Sequence, residues 1–339
     1  MKFRSYIFSF DTLHLRRTLP AGAMFAFLLL LAIELGVSRR EWPFRLVSSN
    51  YVGAFLNMED ELTARRERPL ITMFGNSRCG KIAPAQIGRM LRVPEDYVLN
   101  LAFPGSDPFV WRLFQRRDHD KLETSRITII CVDGWQYNYF QVRKNPLFRH
   151  FAAINERWLL DSDFQVLLGG VLRTFEEREF YTGAARNLFR RSVRSMSGGT
   201  GPTAPPEIVE TIEQTASRYF DEYRFSRGMQ DYYLKSVIET ALGDGQKVLL
   251  LQLPVRDGFM NLMRSKYSAQ YNAYKEVIVQ IKMVPLILFE DASNIGLQNS
   301  DFEDYGHFSA KGAERFVDFF SRYLFETHPD FLEAQRASK

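Results

Sequence analysis

Five short apolar runs lie between Leu70 and Glu290, and each has the length and β-branched content of a strand buried on both faces. Segments with helical spacing separate these runs, and strands that alternate with helices predict βαβ units, a parallel sheet and right-handed crossovers. A last helix is predicted over Ala310–Glu326, where apolar residues form one stripe and Ser309 precedes as the N-cap. The predicted strands are Leu70–Phe74, Tyr97–Phe103, Ile127–Val132, Lys247–Val255 and Val284–Glu290, and the helices between them include Ile82–Leu91, Phe109–Leu122 and Phe259–Lys282.

A segment of over a hundred residues separates the third and fourth predicted strands. It contains a helical piece near Phe164–Arg194, a linker rich in Gly, Ser and Pro at Ser195–Glu207, and a long helix to about Leu242. The basic stretch Arg186–Arg194 either contacts lipid headgroups or is the solvated face of a helix. We therefore expect one domain over residues 46–335, with a helical insertion at about 140–245.

The chain near its N-terminus is far more apolar than the rest. Leu19–Val37 has Glu34 as its sole ionisable residue and arginine pairs on both sides, and about 20 apolar residues are enough to cross a bilayer. A cleaved signal peptide would have a shorter apolar core followed by a small-x-small site. The sequence thus favours a cytoplasmic tail and single transmembrane helix within residues 1–45, with the bilayer contacted through residues 19–37 and the body extracytoplasmic.

Composition narrows the class of protein. Hydrophobic residues make up 45% of the 339 residues and charged residues 25%, which excludes a disordered chain, a collagen-like repeat and a multi-span membrane protein. The 44 basic and 40 acidic side chains leave a net charge of +4, too small an excess to predict a nucleic-acid partner. Cys79 and Cys131 alone cannot form a disulfide framework or a cysteine-based metal site.

Ligands of an open parallel sheet bind outside the carboxyl ends of its strands, and the first strand is followed by Gly75-Asn76-Ser77-Arg78-Cys79-Gly80-Lys81. One interpretation is a phosphate loop, with Asp133 after the third strand assisting Mg²⁺. Ile82, however, stands where such a loop needs a Ser or Thr oxygen for the metal. The other interpretation makes Ser77 a nucleophile presented at a strand-to-helix turn.

A base and an orienting acid for such a serine occur near the C-terminus. Asp304 precedes His307 by three residues with a glycine between them, so the carboxylate can fold back onto the imidazole Nδ1 and leave Nε2 free to accept a serine proton. At the end of the second strand, Asn100–Ser106 contains Gly105, whose backbone N–H can approach a ligand closely.

Taken together, these segments resemble the SGNH/GDSL hydrolase superfamily in its membrane-anchored form. Gly75–Arg78 is similar to the first block, Asn100–Ser106 to the second and Asp304–Gly312 to the last, in the right order along the chain. The third block normally supplies an Asn to the oxyanion hole, and the matching strand end reads Val132-Asp133-Gly134-Trp135-Gln136-Tyr137-Asn138 instead. Gln136 or Asn138 could replace that side chain, or the hole has backbone donors alone.

The resemblance implies a flavodoxin-like three-layer α/β fold with a five-stranded parallel sheet. It also implies that Ser77, His307 and Asp304 are catalytic, that Gly105 contributes an oxyanion donor, and that an acyl ester, of carbohydrate for example, is cleaved or transferred without a cofactor. Single-pass members with a similar layout are the D-alanyl-lipoteichoic acid biosynthesis and alginate O-acetylation proteins, which implies a multi-span membrane acyltransferase as partner. The alternative is a catalytically weak or inactive binding and assembly subunit of a polysaccharide-modifying complex.

Overall fold

The computed structural model describes residues 22–29, 31–32, 35–36, 41–45, 51–137, 145–152, 156, 211–221 and 227–329. Asn138 and most of the segment 140–245 lie outside these ranges, as do residues 19–21, 30, 33–34 and 37 of the apolar stretch 19–37.

A single five-stranded sheet forms the centre of the described molecule, and every pair of neighbouring strands is parallel. The strands are β1 (Ile71–Gly75), β2 (Val98–Ala102), β3 (Ile127–Cys131), β4 (Lys247–Gln252) and β5 (Leu286–Leu288), in the order β2-β1-β3-β4-β5. This is the flavodoxin-like order, whose ligands bind where β1 and β3 diverge at their carboxyl ends. The predicted parallel sheet is confirmed, although β4 and β5 are shorter than their apolar runs.

Helices precede, separate and follow the strands. Two predicted helices were wrong in extent, because Phe109–Leu122 is divided at Asp118 and Phe259–Lys282 at Lys266 and Tyr267. The helices are α1 (Trp42–Arg45), α2 (Tyr51–Ala64), α3 (Ser77–Gly80), α4 (Pro84–Leu91), α5 (Pro108–Arg117), α6 (His119–Leu122), α7 (Pro146–Phe151), α8 (Ile212–Phe220), α9 (Arg227–Gly243), α10 (Asp257–Ser265), α11 (Ser268–Gln280) and α12 (Ala310–Thr327).

Apolar side chains from both faces of the sheet enter two separate cores. Along β3, Ile127 and Ile129 face one core and Ile130 faces the other, because successive side chains of a strand point to opposite faces. Helices α4 and α12 cover the first of these cores, while α2, α5, α9 and α11 cover the second. Both faces are therefore buried, which gives the three layers that the sequence predicts and explains why the strands are apolar throughout.

The two cysteines form a disulfide that the sequence analysis did not predict. Cys79 in α3 is bonded to Cys131 at the end of β3, and both are fully buried. A Cβ atom at Gly75 would lie 2.7 Å from the Cβ of Cys79 and 3.0 Å from that of Cys131, so only glycine fits there. The bridge thus joins the turn after β1 to the neighbouring strand directly beside Ser77.

The described part of the N-terminal stretch is helical over residues 22–29 and 31–32. Its large apolar side chains are exposed, for example Phe25 at 69% and Phe27 at 64%. Within the described ranges, no helix combines the length and the apolar character that crossing a bilayer demands.

Candidate active site

The turn after β1 presents Ser77 at the carboxyl edge of the sheet. Asn76 ends the turn and is fully buried, and its side-chain Oδ1 accepts a hydrogen bond of 2.9 Å from the backbone N–H of Arg78. That contact makes Asn76 the N-cap of α3, whose first residue is Ser77. The strand and the cap together fix the position of the serine hydroxyl.

His307 and Asp304 lie against Ser77 although 230 residues separate the serine from the histidine. The Ser77 Oγ is 2.7 Å from His307 Nε2, and His307 Nδ1 is 2.6 Å from Asp304 Oδ2. The other carboxylate oxygen of Asp304 accepts the backbone N–H groups of Gly306 at 2.9 Å and His307 at 2.8 Å. The carboxylate therefore holds its own loop in shape and orients the imidazole at the same time.

The charge state of Asp304 suits this arrangement. Partial burial opposes ionisation, but hydrogen bonds from the His307 ring and from the two backbone N–H groups outweigh it and lower the pKa of Asp304 to about 2. An ionised carboxylate accepts a hydrogen bond from Nδ1–H, which leaves the lone pair of Nε2 directed at the Ser77 hydroxyl. The three groups can then move the serine proton to the imidazole.

A buried arginine connects the serine turn to the histidine loop. Arg78 is 3% exposed, and its Nη1 pairs with the carboxylate of Asp133. Its Nε donates to the Gly306 carbonyl at 3.1 Å, while Nη2 donates to the carbonyls of Leu253 at 2.8 Å and Pro254 at 2.6 Å. A Cβ at position 306 would lie 2.8 Å from Arg78 Nε, so the loop needs glycine there. Arg78 thus positions the loop that carries His307.

The side chains of Asn76 and Asp133 are both buried and form a hydrogen-bonded pair. The Asn76 Nδ2 donates to Asp133 Oδ2, and the other oxygen of the carboxylate contacts Arg78. An aspartate at position 76, which the first block of the resembled superfamily usually has, would place a second carboxylate against Asp133 in a buried site. A neutral amide at position 76 is therefore compatible with the carboxylate of Asp133 after β3. The differences from the superfamily pattern in the first and third blocks are thus physically coupled.

A cleft of about 230 Å³ opens beside the Ser77 hydroxyl. Gly105 lines it with a left-handed φ of +68°, which L side chains rarely adopt. Gln136 also lines it, but its amide is engaged elsewhere: its Oε1 accepts the N–H of Asp133 at 2.8 Å and its Nε2 donates to the Ser106 carbonyl at 3.0 Å. Asn138 lies outside the described residues, so the structure brings Ser77, His307, Asp304, Gly105 and Gln136 together but does not place Asn138.

Two buried polar residues of the cleft were missed by the sequence analysis. Asp107 caps α5, since its carboxylate accepts a hydrogen bond of 3.2 Å from the backbone N–H of Val110. It also accepts a hydrogen bond of 3.0 Å from Asn145 Nδ2. Burial raises the pKa of Asp107 to about 6, against the lowering effect of these donors. Tyr51, from α2, lines the same cleft. The Asp-Pro pair before α5 is a helix-start signal for Asp107, whereas no local pattern marks Tyr51.

The phosphate-loop interpretation has no support in the geometry. Lys81, which would contact a phosphate, pairs instead with Glu303 at 2.5 Å, and Asp133 is occupied by Arg78 and Asn76. Within the described ranges, no group of His, Cys, Asp and Glu side chains could hold a metal ion.

Comparison with known proteins gives structural matches alone, since no protein-family model and no curated protein matches the chain. A proposed acylhydrolase from Bacteroides fragilis matches at 13% identity and a TM-score of 0.37, covering 79% of this chain and 94% of its own. A GDSL-like lipase from Bacteroides thetaiotaomicron matches at 9% identity and a TM-score of 0.39, and the match covers 80% of this chain and 97% of the lipase. A protein described as a platelet activating factor from Streptococcus pneumonia matches at 13% identity and a TM-score of 0.36, and the match covers 89% of this chain and 99% of that protein.

These similarities carry no argument about the activity of this chain, which depends on its own residues. The strand order and the placement of Ser77, His307 and Asp304 are those that the sequence motifs imply. In strand order and in the arrangement of these three residues, the chain therefore resembles the SGNH/GDSL hydrolase superfamily.

Proposed function

We propose that the protein is a serine esterase or O-acyltransferase that forms an acyl ester on Ser77. The observation that carries this proposal is the continuous chain of contacts from Ser77 Oγ through His307 to Asp304, at 2.7 Å and 2.6 Å. Both distances are within hydrogen-bond reach, which general-base activation of a hydroxyl requires.

In the first half of the reaction, Ser77 Oγ attacks the acyl carbonyl carbon while its proton passes to His307 Nε2. Asp304 stabilises the imidazolium that forms. The backbone N–H groups of Ser77 and Gly105 donate to the carbonyl oxygen as it becomes negative. When the tetrahedral intermediate collapses, the bond to the alcohol oxygen breaks and His307 Nε2 returns its proton to the leaving alcohol.

In the second half, a hydroxyl group attacks the acyl-Ser77 ester. His307 accepts the proton of this hydroxyl and then gives it to Ser77 Oγ, which restores the free serine. If the hydroxyl is water, the protein is an esterase, and if it belongs to a carbohydrate, the protein is an O-acyltransferase. The cleft supports a carbohydrate substrate, because the rings of Trp135 and Tyr219 line it and stack on each other at 5.8 Å, which is an arrangement suited to packing against sugar rings.

Attachment to a membrane and an extracytoplasmic location are part of the proposal. Exposed apolar side chains near the N-terminus support contact with lipid, namely those of Met24, Phe25, Phe27, Leu28, Leu29, Leu31 and Leu35. The buried Cys79–Cys131 disulfide supports folding in an oxidising compartment, since disulfides are rare in reducing ones. The insertion expected at about 140–245 is then the proposed contact for a membrane-embedded acyltransferase partner.

Hydrolysis of an aryl acetate by the full-length protein in detergent tests the function. Ser77→Ala is expected to lower turnover by about 10³-fold or more. Ser265→Ala, at an exposed position of α10, is the matched control and should leave turnover unchanged. A folded wild-type protein whose turnover equals that of Ser77→Ala would contradict the esterase and favour the binding and assembly subunit.

A further inference from the structure

Tyr51 places a phenol hydroxyl in the cleft beside the nucleophile. It is the first residue of α2, and its ring packs edge-to-face on Phe103 with 4.7 Å between centroids and 74° between planes. Phe103 begins the segment that leads from β2 to Gly105. The aromatic contact therefore fixes the tyrosine ring relative to the Gly105 turn, and Tyr51 lines the cleft together with Ser77 and Gly105.

The hydroxyl of Tyr51 is buried and has no hydrogen-bond partner among the described residues. Leaving a buried donor unpaired is unfavourable, so such a group is a candidate to be satisfied by a ligand. Burial, together with the negative charge of Asp107, raises the pKa of Tyr51 well above its usual value. The phenol therefore keeps its proton and remains a hydrogen-bond donor.

The donor lies beside Gly105, the residue expected to give the second backbone N–H to the acyl oxygen. A Cβ built at Gly105 would be 3.5 Å from the Tyr51 Oη and 3.8 Å from its Cε2. Both groups thus border the same small volume next to Ser77. A matching side-chain donor is absent from the described part of the third block, because the amide of Gln136 is engaged by the backbone of Asp133 and Ser106.

We infer that the Tyr51 hydroxyl is the side-chain donor to the acyl oxygen of the substrate, in the place of the asparagine that the third block of the resembled superfamily normally supplies. The inference rests on the proposed function, since it concerns the same acyl transfer at Ser77. In the tetrahedral intermediate, the oxygen accepts hydrogen bonds from the N–H groups of Ser77 and Gly105 and from the Tyr51 O–H. No proton leaves the phenol, because it donates a hydrogen bond and does not act as an acid.

Steady-state hydrolysis of an aryl acetate by Tyr51→Phe in the full-length protein tests this role. Tyr233→Phe is the matched control, because it removes a buried phenol hydroxyl from α9, which does not line the cleft. Removing one oxyanion donor typically lowers kcat by about 10²–10³-fold. We expect that loss in Tyr51→Phe with KM changed less than about threefold, no loss in Tyr233→Phe, and thermal melting that shows both variants folded.

The outcomes separate this inference from the function on which it rests. Wild-type turnover that depends on Ser77, together with equal kcat in Tyr51→Phe and Tyr233→Phe, overturns the role of Tyr51 alone. A rise in KM at unchanged kcat also overturns it, because the hydroxyl would then bind the substrate and not the intermediate. Wild-type turnover equal to that of Ser77→Ala overturns both the proposed function and the inference.

Discussion

Asn76→Asp is the substitution that tests most sharply how the serine turn is built. In the structure the Asn76 amide donates to the carboxylate of Asp133, and both side chains are buried. The substitution replaces the side-chain NH2 by an oxygen and leaves the side-chain volume almost unchanged. It thereby removes the hydrogen-bond donor to Asp133 and introduces a second carboxylate. Because Arg78 pairs with Asp133, one positive charge would then face two negative charges.

The magnitude follows from two limits. Two charges about 4 Å apart in an environment of effective dielectric constant 20 repel by about 4 kcal/mol. The variant can avoid this by protonating one carboxyl, which costs about 4 kcal/mol at pH 7 and about 1.5 kcal/mol at pH 5 for a group with an ordinary pKa of about 3.9. A carboxyl pKa raised in the folded state gives stability that is present at low pH and lost as the pH rises. The decrease in the free energy of unfolding caused by Asn76→Asp should therefore be larger at neutral pH than at acidic pH.

Urea unfolding, followed by tryptophan fluorescence at pH 5 and pH 7, measures the effect. We expect Asn76→Asp to lower the free energy of unfolding by about 3–4 kcal/mol at pH 7 and by about 1–2 kcal/mol at pH 5. Asp133→Asn alone should also destabilise, because it leaves the buried Arg78 without a charged partner. The double variant Asn76→Asp/Asp133→Asn exchanges the two groups and should be more stable than either single variant.

Two results would refute this reasoning. The first is a free energy of unfolding for Asn76→Asp that lies within about 0.5 kcal/mol of the wild-type value at pH 7, which is the range of an ordinary surface substitution. The double variant could instead lose the sum of the two single losses, which would mean that the side chains at 76 and 133 do not interact.

Two further predictions concern stability. Cys79→Ala/Cys131→Ala opens a bridge between residues 52 apart in sequence, so the free energy of unfolding in urea should fall by about 4 kcal/mol; an unchanged midpoint would show that the bridge contributes nothing. Burial raises the pKa of Asp107 to about 6, so its contribution is present at low pH and is lost as the pH rises through about 6. The Tm of the wild-type protein should therefore fall relative to that of Asp107→Asn between pH 4 and pH 7, and a constant difference in Tm would speak against this.

The sheet could be predicted because parallel strands buried on both faces are apolar without interruption, as in Ile127–Cys131. The divisions of the helices could not, because Asp118 and the pair Lys266-Tyr267 contain neither Gly nor Pro. The hydroxyl of Tyr267 donates to Asp221 in α8's C-terminal cap at 2.6 Å, which is a tertiary contact that local pattern does not encode. Strand ends at β5 were missed for a similar reason, since its apolar run continues beyond its pairing with β4.

The candidate site was predictable where one short segment carries the chemistry. Asp304 and His307 are three residues apart, and Ser77 lies in the turn after a strand, so local pattern made them candidates, and the resemblance to the SGNH/GDSL superfamily implied their roles. Arg78 and Asp133 are 55 residues apart, and the acidic residue suggested a metal site until its partners were known. Tyr51 belongs to a helix that precedes the sheet in sequence and enters the cleft through packing on Phe103. Contacts of this kind arise only from the assembled fold.

Covalent labelling by a fluorophosphonate is the most direct test of Ser77 as a nucleophile activated by His307. Intact mass and peptide mapping of the folded wild-type protein should show one adduct, located on Ser77, and labelling of His307→Ala should be slower by about 10³-fold or more. A folded protein that stays unlabelled, an adduct on another residue, or equal labelling rates in the wild-type protein and His307→Ala would contradict the account.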